Sequence, residues 1–550
     1  MSMRVTTSTR HRAAERGIEV AAKVDLKAAL RRPENHYSTG RQVVSISIKR
    51  RRYLVGKRSV AVDSLIAGWD FSTGAVKCVV FDLNGKVVTE ARLPTELVGD
   101  NGVRELSLIQ LEGQARQSVR AIAARLGADV RHWIAGGISA THHTAGRVDA
   151  VGNQVRRMIA WNDQTLGRYH AEGLARLGGA KVVQELIGGP WAVRYSLSHL
   201  VKDEHTLDAA HWQRTAKMLT HGSAAAGYLT GRFDCTSVSS ASSTGIMDLR
   251  TNQWSREMLG ALADPRHREQ AWKSLPTIID TDEPIGTLAE HVAMAANLPA
   301  GVRPLVYPTL DDQAAGLLGG GAVDAGQVAI ILGNSAVVSS SANSAPKSGS
   351  LDAMKLNWGP YLWMRCYTNG AQFLDHVVGD KPNWAALEMA ARMVPAGCNG
   401  VTVLPFLFSE PSIGLTVPKY QWIPQEPSDA GVRLRASFEG LAYLIGLAVR
   451  EHEAAGQVIT RVTVSGGIAN NDLMLEILAS VLNRELVRLV SSEGTALGAA
   501  VSALAGYQGC AVGEAVEALV KFRPTKMRPR AEWLSVYANG LDAFNASLGA

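Results

Sequence analysis

From residue 64 onward the chain alternates short runs of apolar, β-branched residues with longer stretches of helical periodicity, the pattern of an α/β protein. In the first half this pattern predicts strands over 65–70, 76–82 and 86–91, a helix over 106–126, a strand over 133–139 and helical structure from 164 to 205. Asn84-Gly85, between the second and third strands, reads as a type I′ hairpin. The Ser/Thr-rich passage Cys235 to Thr244 is low in complexity but flanked by structured sequence, and is expected to be a buried loop. Glycine is dense from Gly316 to Gly321, and a second half is expected to begin near residue 318. Gln327 to Val338 then repeats the opening device of Leu65 to Asp82: an apolar strand, a short turn of small residues, another apolar strand. Two halves that begin alike predict a duplicated fold whose turns face one cleft, with chance similarity of two hairpins as the competing account.

The first turn, Ser72-Thr73-Gly74, follows Asp70 and precedes Lys77. Turn amides and the Ser72 and Thr73 hydroxyls can donate to phosphate oxygens, and Asp70 is placed to hold a divalent cation directly or through water. An ordinary Ser/Gly hairpin with a capping Asp accounts for the same residues, and Lys77 either reaches a phosphate or lies solvated on its strand. Further along, Ser465-Gly466-Gly467 ends a strand ahead of a helix over 472–483, and the missing side chains let a flat ring approach the backbone. Asn470 and Asn471 either cap that helix or touch a ligand. Glu493 to Ala500 starts a small-residue helix suited to close packing. Between the halves, Asp311 and Asp312 open another small-residue helix. A carboxylate there either caps the helix or takes a proton from a substrate hydroxyl as phosphoryl transfer begins. Gly136 to His143 and Trp161-Asn162-Asp163 set polar groups and a Trp at strand ends, which suits a polyol. As strand neighbours, His142 and His143 are expected to point to opposite faces, and their spacing matches no familiar metal site.

A length of 550 residues exceeds one compact core and predicts two or more domains. The 46% hydrophobic content is ordinary for a soluble globular chain, and no apolar run approaches the roughly 18 residues of a membrane span. Cys78, Cys235, Cys366, Cys398 and Cys510 are scattered without Cys-x-x-Cys spacing, which argues against a disulfide framework or zinc site and fits a reducing cytosol. The net charge of +7 changes meaning once divided: residues 1–63 hold fifteen Lys/Arg against five Asp/Glu, so the remainder carries an acidic excess of three. The leading segment, with Lys49-Arg50-Arg51-Arg52, reads as a disordered appendage or an overlong start of the reading frame. Binding to nucleic acid or an anionic membrane is the competing use of its charge, and Glu15, Glu19, Asp25 and Glu34 fit a targeting presequence poorly.

In their order and separation these pieces resemble the FGGY carbohydrate kinases of the actin-like ATPase superfamily, and within them the xylulokinases, over about residues 64 to 545. The resemblance is carried by Asp70 to Lys77, Trp161-Asn162-Asp163, Ser239 to Arg250 leading to Trp254-Ser255, Asp312-Gln313-Ala314-Ala315-Gly316, and Ser465-Gly466-Gly467. It implies two actin-like (ribonuclease H-like) ATPase domains with a central interdomain cleft. Residues 64–317 would form the N-terminal domain, with the sugar side, the first phosphate loop and the catalytic Asp at its end; residues 318–550 would form the nucleotide-side C-terminal domain, behind a basic extension of residues 1–63. The activity implied is ATP-dependent phosphorylation of a terminal hydroxyl of a ketopentose, D-xylulose first, with ATP and Mg2+ as cofactors, in the cytoplasm. A small-molecule sugar is the implied partner, without a membrane or nucleic-acid role, and a homodimer is a further expectation. Asp312 matches the catalytic base, which also touches substrate, and Asp70 the metal-associated carboxylate. Ser72, Thr73, Gly74 and Lys77 match the first phosphate loop, Gly333, Asn334 and Ser335 the second, and Gly466 and Gly467, with Asn470, the adenosine motif. His143, Trp161 and Asp163 match sugar-side positions. Departures at Thr141, His142, Thr165, Ser240 and Asn334 bear on the choice of sugar. Ribulose, gluconate and glycerol are the alternative acceptors, and a degenerate kinase acting as a sugar or nucleotide sensor is the alternative class.

Overall fold

A computed structural model describes residues 59–279, 283–347, 351–379 and 381–549. The expectations for the basic extension fall on residues 1–63, of which 1–58 lie outside the described residues. Strands β1 (Leu65–Phe71) and β2 (Ala75–Phe81) pair antiparallel, β3 (Val87–Pro94) follows beside β2, and β4 (Trp133–Ala140) runs parallel to β1. All seven residues of β1 are buried, as a near-continuous apolar strand covered on both faces requires. Helix α1 (Leu108–Leu126) begins where the Ser107 hydroxyl accepts the Gln110 N–H; it lays Leu111, Ala115, Val119 and Ile122, spaced by three or four, into the core against β2 and β3.

The β2–β3 connection differs from a type I′ turn. Gly85 has positive φ (78°) and Asn84 does not, Asp82 N–H donates to Lys86 O, and the Asp82 carboxylate accepts the N–H groups of Asn84 and Lys86. The aspartate side chain thereby builds a three-residue loop, with a register shift at Val80/Phe81. The helical stretch expected over 164–205 is three helices, Gly167–Leu177, Ala180–Ile187 and α2 (Ser196–Thr206). Gly178 and Gly188 end the first two in the left-handed conformation at φ 90° and 70°. The Ser/Thr-rich passage is buried but is not a loop: strand Cys235–Ser237 leads into a short helix, α3 (Val238–Ser242), capped by the Ser237 hydroxyl. The hydroxyls of Ser242, Ser243 and Thr244 donate to the carbonyls three residues earlier, which is how so polar a run tolerates burial.

The short strand β5 (Leu310–Asp311) joins β4 in parallel and feeds helix α4 (Asp312–Gly319). A second sheet then repeats the first. In it β6 (Gln327–Leu332) pairs antiparallel with β7 (Ala336–Ala342), β7 pairs with β8 (Tyr361–Tyr367), and β9 (Arg461–Ser465) runs parallel to β6. This is the arrangement of β1, β2, β3 and β4. Helix α5 (Asp472–Leu482) follows β9, and helix α6 (Gly494–Gln508) packs against β1, β4 and α4. Residues Val55–Ala550 form one compact unit, because α6 makes the two sheets share a core. Ile66, Val79 and Phe81 from the first sheet, Ala329, Val337 and Met364 from the second, and Leu497, Ala500 and Leu504 of α6 belong to the same apolar cluster. The contact is backbone on backbone: a Cβ on Gly68, Gly137, Gly319 or Gly498 would lie 1.8, 2.0, 1.8 or 1.9 Å from a carbonyl oxygen of the facing element. No helix among the described residues is long and apolar enough to cross a membrane.

Candidate active site

Strand β5 delivers two adjacent carboxylates to the start of α4, and they divide the alternatives between them. Asp311 is the cap: its Oδ1 accepts the N–H groups of Gln313 and Ala314 at 3.0 and 2.9 Å, and its Oδ2 accepts the Ser239 hydroxyl. Asp312 is therefore free of the helix. Its Oδ1 accepts from the His142 ring Nδ1 at 2.6 Å, and its side chain remains 22% exposed.

Pairing of β1 with β2 and β4 sets Asp70 opposite Lys77 and Ser139. The Ser139 hydroxyl donates to Asp70 Oδ1 at 3.2 Å, and Thr495, at the start of α6, hydrogen-bonds the same carboxylate. Burial, with the Asp312 charge adding to it, pushes the Asp70 carboxyl up to about 6 against the opposing effects of Thr495, Lys77 and Ser139. Two carboxylates close enough to repel suit a hard divalent cation, which takes one or two protein carboxylates and fills its other positions with water or phosphate oxygens. Lys77 remains 30% exposed, and its Nζ donates to Glu493 Oε2 at 2.8 Å, at the N-cap of α6.

The buried charge on Asp70 costs stability in the ligand-free protein. Its carboxyl titrates near 6 in the fold against an ordinary 3.8, so its contribution is fully present below pH 3.8 and is lost as pH rises through 6. Asp70→Asn, which keeps an oxygen to accept from Ser139, is expected to raise the stability of the ligand-free protein at pH 7.5 by up to about 3 kcal/mol. The gain should vanish near pH 4, and denaturant titrations of both proteins at the two pH values measure it.

In the first turn, Ser72 Oγ donates to its own turn, to Ala75 O at 2.7 Å, and accepts the Ala75 N–H. Thr73 is half-buried, and a Cβ on Gly74 would meet nothing within 4 Å. The second turn, Gly333-Asn334-Ser335, closes through Gly333 N–H to Ser335 O at 3.0 Å and leaves Asn334 exposed. Ser335 also bonds the Cys366 thiol, which lies within electrostatic reach of Asp312. The two adjacent glycines after β9 differ. A Cβ on Gly466 would lie 2.3 Å from Leu332 O, so that glycine serves packing against β6, whereas Gly467 faces open space. Asn471 caps α5 through the Met474 N–H, and Asn470 accepts from Arg523 Nη2 at 3.0 Å.

His142 and His143 do not alternate along a strand. They lie in the bend after β4, where Thr144 N–H donates to His142 O at 2.7 Å and His143 takes a left-handed φ of 60°. Their rings meet edge to face at 4.0 Å. A non-glycine residue held at positive φ costs of order 1–3 kcal/mol, which the surrounding contacts must offset. His143 is fully buried, binds Ser243 O through Nδ1 at 2.6 Å and stacks on Tyr195 at 4.1 Å; its Nε2 has no protein partner among the described residues. Burial, aided by the neighbouring His142 and Arg194, holds its pKa well below the usual histidine range, so the ring is neutral. Trp161 is half-buried, 6.2 Å from the His142 ring. Asp163 is close in sequence but turned inward, accepting from Arg104 N–H, Thr165 and Lys202 Nζ, with no exposed side-chain surface.

Beneath this cluster α2 acts as a platform. Ser196 donates to His143 O at 2.8 Å, and Asp203 accepts from the buried Arg147 and Arg156 at 2.6 and 2.9 Å. Arg194, just before α2, pairs with Asp352 of the second sheet, which also accepts from Tyr195 OH at 3.4 Å. Reading the sequence for site residues misses Arg194 and Tyr195; His142, Glu493 and Thr495 stand in segments it singles out, without these contacts. Two surface cavities, of about 430 and 390 Å3, lie elsewhere, one beside Val449 and Leu541 and one beside Ala123 and Pro299.

Comparison with known proteins extends the match over nearly the whole described chain. The model of the FGGY family of carbohydrate kinases, N-terminal domain, matches residues 65–319, and that of the C-terminal domain matches residues 380–507. A xylulose kinase of Haemophilus influenzae is 23% identical over 450 residues, covering 80% of this chain and 90% of that protein. A glycerol kinase of Methylorubrum extorquens is 27% identical over 461 residues, covering 79% and 88%. A solved structure of ligand-bound xylulose kinase from Lactobacillus acidophilus shares the fold with a TM-score of 0.79 at 17% identity, covering 88% of this chain and 97% of that one. With both family domains matched in order on a duplicated α/β fold, this chain belongs to the FGGY family of carbohydrate kinases and is an ATP-dependent sugar kinase.

Proposed function

We propose that the protein transfers the γ-phosphoryl group of ATP to the terminal hydroxyl of D-xylulose, forming D-xylulose 5-phosphate. The observation that carries this is Asp312: a carboxylate relieved of helix capping, with one oxygen bonded to His142 and within electrostatic reach of both Asp70 and Cys366. The acceptor hydroxyl oxygen bonds to phosphorus, the bond to the ADP oxygen breaks, and Asp312 takes the hydroxyl proton. Base assistance of this kind contributes roughly 10²–10⁴-fold in rate. Asp70, with Asp312 nearby, would hold Mg2+, which when bound neutralises charge on the phosphate oxygens. Gly74 and the exposed Asn334 leave open turn surface for phosphate oxygens, and Gly467 leaves it for a flat ring. His143, with its free Nε2, and Trp161 would meet the sugar through a ring nitrogen and an apolar face. Asp163 would act through the backbone of Arg104 and Thr165 rather than on the sugar itself. The division into a sugar-side domain over 64–317 and a nucleotide-side domain over 318–550 belongs to the same proposal. Xylulose is preferred as acceptor because a curated relative covering 80% of the chain is a xylulose kinase. Glycerol is the second candidate, since a glycerol kinase also matches.

ADP release measured with D-xylulose, ribulose, gluconate and glycerol tests the acceptor. The highest kcat/KM is expected for D-xylulose. A higher value for another polyol reassigns the acceptor, and silence on all four despite nucleotide binding contradicts the kinase reading of this site.

A further inference from the structure

We propose that His142 is a positioning residue of phosphoryl transfer, fixing one oxygen of Asp312 so that the other faces the acceptor hydroxyl; the role rests on the reading of Asp312 as the base. Among the described residues, both hydrogen bonds to the Asp312 carboxylate come from this one residue. Oδ1 accepts the ring Nδ1 at 2.6 Å and the His142 backbone N–H at 3.4 Å. Oδ2 has no hydrogen-bond partner among the described residues, and the side chain is 22% exposed. An ionised carboxylate only accepts, so the bonded Nδ1 carries the ring proton.

The histidine is itself held. It is 6% exposed, its carbonyl accepts the Thr144 N–H at 2.7 Å, and its ring abuts His143 at 4.0 Å. His143 in turn is fixed by Ser243 O and by stacking on Tyr195. The donor therefore comes from a rigid turn, while the carboxylate sits at the first residue of a helix, where rotation about its own side-chain bonds is otherwise open. Asp311 already occupies the free N–H groups of Gln313 and Ala314, so nothing in α4 competes for Asp312. A two-point hold on Oδ1 removes that rotation and leaves Oδ2 as the single basic oxygen. During the reaction Oδ2 takes the hydroxyl proton, and the Nδ1 proton stays on the histidine.

Three variants separate this role from its alternatives. His142→Leu keeps apolar bulk without a donor, His142→Asn restores a short N–H donor, and Asp312→Asn removes the base. His142→Leu is expected to lower kcat on the order of 10–100-fold, as loss of reactant alignment does. Its KM for ATP and its denaturation midpoint should stay near wild type, and His142→Asn should recover part of the loss. Added to Asp312→Asn, His142→Leu should cost nothing more. Wild-type or raised kcat in His142→Leu, alongside an inactive Asp312→Asn, overturns the positioning role and leaves the base assignment standing. An active Asp312→Asn overturns the base assignment, and the positioning role falls with it.

Discussion

Asp312→Asn is expected to lower kcat for sugar phosphorylation by about 10²–10⁴-fold while leaving nucleotide binding and thermal stability close to wild type. The separation follows from the division of labour at the start of α4. Asp311, 2% exposed, satisfies the helix N-terminus and is locked by Ser239, so the fold does not depend on its neighbour. Asparagine still accepts the His142 Nδ1–H through its amide oxygen but cannot take up a proton at working pH. Steady-state kinetics with the preferred sugar, titration of ADP binding and a melting curve give the three readouts. Retained turnover in a folded variant moves the base elsewhere.

Gly68→Ala is expected to remove the stable fold, at a cost above about 4 kcal/mol. The added methyl would sit 1.8 Å from Ala496 O and 2.6 Å from its carbonyl carbon, both backbone atoms of α6. Neither strand nor helix can retreat locally. β1 is paired along its length with β2 and β4, and α6 rests equally on Gly137 and, through Gly498 and Gly319, on α4. The substitution therefore separates α6 from the first sheet, and with it the Lys77–Glu493 pair and the Thr495 bond to Asp70. Gly74→Ala, whose Cβ meets nothing within 4 Å, is the matched control for stability. Denaturant unfolding of both variants measures the difference; a near-wild-type midpoint for Gly68→Ala would mean that the sheet and helix are not in direct contact.

The elements were legible wherever burial on both faces wrote a continuous apolar run, as in β1, β2, β4 and β6, and the echo of one half in the other located the second antiparallel pair, β6 and β7. Local pattern left open which of Asp311 and Asp312 caps the helix, because both stand at one helix boundary, and only the resemblance singled out Asp312; in the fold Asp311 takes the cap. Lys77 found its partner 416 residues away, beyond any local pattern. The bend that carries His142 was not legible, because strand neighbours were expected to alternate and a single left-handed residue, His143, breaks that pattern. Gly466 and Gly467 look alike in sequence, and only the approach of Leu332 separates a packing glycine from an open one. The breaks in the 164–205 helical stretch, by contrast, were written in Gly178-Gly179 and Gly188-Gly189-Pro190.

Phosphorus NMR of the protein incubated with ATP, Mg2+ and D-xylulose tests the central claim most directly, because it follows the transferred group itself. The γ-phosphate signal should convert one for one into a sugar phosphomonoester with wild-type protein, and about 10²–10⁴-fold more slowly with Asp312→Asn. Conversion to inorganic phosphate alone, or equal ester formation by the variant, would contradict it.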